Sequence, residues 1–176
     1  MMRDGRLARL GMLSSLALIL FVLESLAPRP LPWMKLGLGN VAVLLALLVL
    51  GAAPATAVCA VKLGVGGLVS GGFGNPAFII GAGAGLVSLA TMAAAHRVMP
   101  GVFSAVGLSI LGAVAHQLSQ LALAAIYIGH HGLFSLLPLF LLTGLISGAL
   151  TGILAHWAHH KLCALGWQAG VGGSSR

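Results

Sequence analysis

The chain has 176 residues, of which 59% are hydrophobic and 6% charged, with a mean hydropathy of +1.09, whereas soluble domains carry roughly 25% charged residues. That balance excludes an ordinary water-soluble enzyme and points to an all-α integral membrane protein: one transmembrane domain over residues 1–160 and a short cytoplasmic tail over 161–176. The net charge of +7 does not mark a nucleic-acid binder, because the basic residues are scattered at the ends of apolar runs instead of gathered in a patch.

A spanning helix needs about 20 mostly apolar residues to cross a hydrocarbon core about 30 Å thick. On that measure the apolar runs at 7–27, 36–50, 55–70, 77–95, 102–128 and 133–158 predict a bundle of about six transmembrane helices, the second and third of them short. The first, with Arg3, Arg6 and Arg9 at its start, could pass for a secretory leader. Its length and the Glu24 and Pro28 at its end predict instead a retained helix. The link that follows, Pro28-Arg29-Pro30-Leu31-Pro32-Trp33-Met34-Lys35, is stiffened by alternating prolines. It reads either as a rigid connector or as a cover over an outward-facing cavity, with Lys35 and Asn40 reaching inward.

Near the middle of the third run stands Lys62. A lysine about 12 Å from either helix end cannot easily reach water, so it meets a carboxylate, a ligand or a wet cavity, or loses its proton. Glu24 is the one acidic residue besides Asp4, and a Lys62–Glu24 ion pair that only holds the bundle together is the plain alternative. The run Gly71-Gly72-Phe73-Gly74-Asn75-Pro76 predicts a turn between the third and fourth helices, since Gly favours turns and proline restricts the residue before it. On the fifth run His116, Gln117 and Gln120 fall within five residues. They line a cavity or act as interhelical hydrogen-bonding glue.

The last run carries Gly144, Gly148 and Gly152 at four-residue spacing, a small-residue groove for packing inside the bundle or for docking a partner. Gly67 with Gly71, and Gly81 with Gly85, repeat the spacing. His156, His159 and His160 near its end read as a helix terminus that favours imidazolium better than as a metal site. His130 and His131 read as an exposed loop, and residues 170–176 as a disordered Gly/Ser-rich tail. Lys and Arg counted in loops put both termini inside a bacterial cytoplasmic membrane, with Arg3, Arg6, Arg9, Arg97, Lys161 and Arg176 on one side against Arg29 and Lys35 on the other. Cys59 and Cys163 then face a reducing side and are expected as thiols. The sequence holds no Walker motif, no Gly-x-Ser-x-Gly elbow and no carboxylate cluster for magnesium. Neither catalysis nor a cofactor is expected.

The runs Leu23-Glu24-Ser25, Pro28, Pro30 and Pro32, Lys35-Leu36-Gly37-Leu38 and Asn40 resemble the opening of the family called heptaprenyl diphosphate synthase component I, also known as the Gx transporter family. Gly66 to Gly71 with Asn75 to Phe78, Gly112 to Gln117 with Gln120, and the last glycine series follow in the family's order, so the resemblance spans 7–157. The transporter name implies similarity to the six-helix S components of energy-coupling-factor vitamin transporters. Those proteins bind a small molecule near the outer face and dock on a coupling subunit with ATPases. The synthase name implies a non-catalytic partner in polyprenyl diphosphate or quinone production. Of the Ala-x-x-x-Ala docking pair usual on helix one of S components, this chain has only the small pair Gly11 and Ser15. Under the transporter resemblance Glu24, Lys35, Asn40, Lys62, Asn75, His116, Gln117 and Gln120 are expected to bind an anionic or polar small molecule of vitamin, cofactor or isoprenoid type, an isoprenoid diphosphate among them.

Overall fold

A computed structural model describes residues 2–26, 37–69 and 71–167. Six α-helices make up the described chain: α1 (Met2–Leu26), α2 (Leu38–Leu50), α3 (Ala52–Val69), α4 (Pro76–Val98), α5 (Ala105–Ile128) and α6 (Leu137–Ala164), with short 3-10 turns at Gly72–Gly74 and His131–Leu136. All but α2 are long and apolar enough to cross a membrane. Large apolar side chains on their outer faces, among them Met12, Ile19, Ile126, Leu150, Ile153 and Trp157, are exposed. So much exposed hydrocarbon has no place in water and reads as the lipid-facing surface of a multi-pass membrane protein.

The helices form two groups of three. α1, α2 and α3 pack on one another, α5 packs on both α4 and α6, and α2 joins the groups through α6, while α3 touches α4 only lightly. The core centres on α2, where residues 41–47 are all buried and Leu44, Leu45 and Leu47 fully so. With 13 residues, α2 is about 20 Å long, a third less than the hydrocarbon thickness. Its N-terminal end, at Gly37, Gly39 and Asn40, lines a cavity.

Helix boundaries follow local chemistry. Gly51 at φ 93 ends α2 and donates its N–H to Ala46 and Leu47, so α3 starts after a one-residue hinge. The guanidinium of Arg6 donates to the last carbonyl of α2, on Leu50, at 3.3 Å, where the partial negative charge of a helix C-terminus favours a cation. The expected turn at 71–76 is a left-handed Gly71 at φ 64, one 3-10 turn and Asn75, whose side chain accepts the Ala77 N–H at 2.9 Å with Pro76 as the first helical residue. Asn75→Ala should therefore lower the thermal unfolding midpoint by the equivalent of about 1 kcal/mol, and Asn75→Asp, which keeps the cap, should not. At the other end α5 starts at Ala105, later than the expected 102, because the Ser104 hydroxyl caps it through the Gly107 N–H at 3.1 Å.

α6 runs through Lys161 to Ala164, past the helix end expected at 158, and Trp167 beyond it lies 5.2 Å from the Arg9 guanidinium, ring under cation. This ties the start of α1 to the end of α6. The tail at 170–176 and the proline-rich link lie outside the described residues.

Candidate functional site

Most of α4's inner face is built from small residues. Ala77, Gly81, Ala82, Gly85 and Ser88 leave the space between the two helix groups open, and a cavity of about 720 Å³ occupies it. Along α4 its wall runs from Ala77 to Met92, about 22 Å by the helical rise. It reaches the surface at the Asn75 end, where Leu26, Val69 and Asn75 are exposed. The volume is within the roughly 300–1,000 Å³ of small-molecule sites.

Seven of the eight residues expected to bind a ligand line this one cavity: Glu24, Asn40, Lys62, Asn75, His116, Gln117 and Gln120. Lys35 lies outside the described residues. The wall between α1 and α3 is formed by the N-terminus of α2. There Gly37, at φ 75, donates its backbone N–H to the Glu24 carboxylate at 2.6 Å, so an acidic side chain from α1 meets the positive end of α2. One turn on, Asn40 Oδ1 accepts from Lys62 Nζ at 2.5 Å. Lys62 is only 5% exposed. Its stem crosses α2 at Gly39, where a methyl group would stand 3.1 Å from Lys62 Cδ and 3.2 Å from the Ala17 carbonyl. Glycine at 39 is what lets the stem pass.

The facing wall comes from α5 and α6. Gln117 donates to the Thr143 hydroxyl at 3.2 Å, and that hydroxyl donates to the Phe140 carbonyl at 2.9 Å. The end of the cavity farthest from Asn75 is rich in hydroxyls. Ser109 and Thr151 share a hydrogen bond of 2.8 Å, and Ser88 donates to the Gly112 carbonyl at 2.7 Å. Sequence reasoning did not single these out, since serine and threonine are common in membrane helices, where they bond to their own backbone. Phe21 and Phe78 complete the lining, each ring lying against a glycine of α3, Gly66 and Gly67 respectively.

The glycines divide by what they face. Gly144, Gly148 and Gly152 are buried against α5: methyl groups there would stand 2.7 Å from Gln117 Cγ, 2.8 Å from Ala113 Cβ and 2.7 Å from Val106 Cα. That stripe is a contact inside the bundle and has no room for a partner helix. Gly81 and Gly85 share its spacing but not its role, because nothing lies within 4 Å of a methyl group at either and both open onto the cavity. On α1, Gly11 also meets nothing within 4 Å, and Ser15 is exposed.

The histidines of α6 meet edge to face, His156 against His160 with ring centroids 4.6 Å apart, and His159 Nε2 lies 3.6 Å from Cys163 Sγ. Among the described residues no group of three His, Cys, Asp or Glu side chains is arranged to hold a metal. Cys59 and Cys163 are free thiols.

A family model described as heptaprenyl diphosphate synthase component I matches residues 13–158. No curated protein and no solved structure matches the chain.

Proposed function

The chain belongs to the heptaprenyl diphosphate synthase component I family, and from that premise we propose that it is a membrane-embedded substrate-binding subunit, which holds a small polar molecule in the cavity between its two helix groups for uptake across a bacterial inner membrane. The observation that carries the reading is the convergence of polar groups. Lysine, histidine, glutamine and asparagine are costly in a bilayer and are retained where they serve a site, and here they come from α2, α3 and α5 to line a single hollow. With both termini cytoplasmic, as the loop charges favour, the Asn75 end faces outward. A ligand would enter there and meet Lys62 and Asn40 on one wall and His116, Gln117 and Gln120 on the other.

Likeness to vitamin-transporter S components rests on the transporter name of the resembled family alone, and so does a coupling subunit with ATPases as partner. In place of the Ala-x-x-x-Ala pair that docks such a subunit, α1 offers only Gly11 and Ser15 on its open face, a departure that counts against that partner.

Mass spectrometry of small molecules retained after mild detergent extraction tests the proposal. Wild-type protein should carry a bound species that Lys62→Met loses, while the variant unfolds at an equal or higher temperature because a buried cation is gone. Equal retention by both proteins would end the assignment of Lys62 to the site.

The family name favours a second reading, a non-catalytic membrane partner in heptaprenyl diphosphate or quinone production. Purification of tagged protein from its native membrane separates the two. An ATPase pair in the eluate favours uptake, and a soluble prenyl synthase favours biosynthesis.

A further inference from the structure

We propose that the cleft where α1 meets the α2–α3 hinge seats one anionic phospholipid, its phosphate on Arg6 and an acyl chain running inward past Leu10. The site is separate from the inner cavity and does not depend on what that cavity holds. It has a volume of about 280 Å³ and is lined by Arg6, Leu7, Leu10, Leu50 and Pro54. Apart from the guanidinium, its wall is apolar.

Depth is the first argument. The membrane-length stretch of α1 begins at Gly5, so Arg6 stands on its first turn, at the level of lipid headgroups. Leu10 is one turn deeper, about 6 Å along the axis, and Leu7 between them is exposed on the apolar outer surface. A cation at the rim with hydrocarbon beneath it matches the order of groups in a phospholipid. The cleft is also too narrow for a protein partner. α1 packs on both α2 and α3, and a helix with its side chains is about 10 Å across, so the space between them takes a flexible chain.

Charge is the second argument. The guanidinium is steadied by one bond, from Nη2 to the Leu50 carbonyl at 3.3 Å, which uses one of its five N–H donors. The partial negative charge at that end of α2 is met one residue on by the positive start of α3, whose first turn holds no acidic residue. Of the two acids in the sequence, Glu24 is engaged at Gly37, near the other end of α1. Asp4 stands two residues before Arg6, a spacing that does not bring two helical side chains face to face. A phosphate pairs with the remaining donors in a fork, and basic pockets between spanning helices take anionic headgroups in this way. A zwitterionic lipid carries its own ammonium beside the phosphate and gains less.

The test uses full-length protein in mild detergent, to which phosphatidylglycerol, phosphatidylcholine with the same acyl chains and inorganic phosphate are added in turn. Bound lipid is counted by native mass spectrometry while the unfolding midpoint is followed. Phosphatidylglycerol should be retained and raise the midpoint. Its affinity should fall about tenfold in Arg6→Gln and recover in part in Arg6→Lys. It should be unchanged in Arg97→Gln, which removes an exposed cation from the last turn of α4, at the same end of the bundle. Equal binding of phosphatidylcholine, a midpoint raised by inorganic phosphate alone, or equal losses in Arg6→Gln and Arg97→Gln would overturn the site. So would a protein subunit that Arg6→Gln releases while the lipid stays bound. Should Arg6→Gln fail to accumulate, the contrast between the two lipids on wild-type protein still decides.

Discussion

Gly152→Leu should abolish recovery of folded protein, and Gly152→Ala should already lower stability by about 1–3 kcal/mol, the usual cost of forcing extra atoms into a packed core. The reason is what the new methyl group meets. At Gly152 it would stand 2.7 Å from Val106 Cα and 2.9 Å from Ser109 Cβ. Backbone cannot turn aside, so α6 must move off α5, and the Ser109–Thr151 hydrogen bond beside it is lost as well. Helix association within lipid depends on such close packing, because lipid tails are as apolar as leucine. Gly112→Ala is the matched control. A methyl group there would stand 2.6 Å from Met92 Sδ, but a methionine side chain has three rotatable bonds and can swing away. Unfolding of the purified variants in detergent, followed by heat or denaturant, should rank them wild type, Gly112→Ala, Gly152→Ala, with Gly152→Leu aggregated on size exclusion. Equal losses for the two alanine variants would refute the backbone argument.

The second large effect concerns the Asn40–Lys62 contact and is read from a double-mutant cycle on ligand-free protein. Asn40→Leu should cost about 1–3 kcal/mol, since it withdraws an acceptor from an ammonium group that remains buried. Lys62→Met should be neutral or stabilising, because it removes the charge as well as the bond. The double variant should resemble Lys62→Met, with a coupling of opposite sign to the Asn40→Leu loss. If Lys62→Met is the more damaging single change, the ammonium holds the bundle together and the case for a ligand weakens.

How far the sequence foretold this arrangement depended on the kind of signal. Long apolar runs located α1, α4, α5 and α6 because a span must hide its whole backbone in lipid, and the shortness of α2 was visible as a shortness of its run. Boundaries were less legible. Asn75 and Ser104 set where α4 and α5 begin through single hydrogen bonds that no periodicity reveals. Lys62, His116, Gln117 and Gln120 stood out by their rarity in apolar helices, and the fold brings them to one cavity. The partners of the two charged groups did not stand out. Glu24 meets Gly37, and Lys62 meets Asn40, across helices whose relative rotation is a tertiary property. Glycine spacing was ambiguous for the same reason: the same four-residue repeat packs against α5 at Gly148 and faces open space at Gly81.

The bare positions on α4 have a further consequence. Since among the described residues, outside its own turn of α4, nothing lies within 4 Å of a methyl group at Gly81 or Gly85, larger residues there would extend into the hollow without prying the described helices apart. Capacity is thus set by residues that carry little of the architecture. On the proposed binding reading, exchanging one or two side chains on this single helix would change the bulk of guest the hollow takes, while the rest of the scaffold stays as it is.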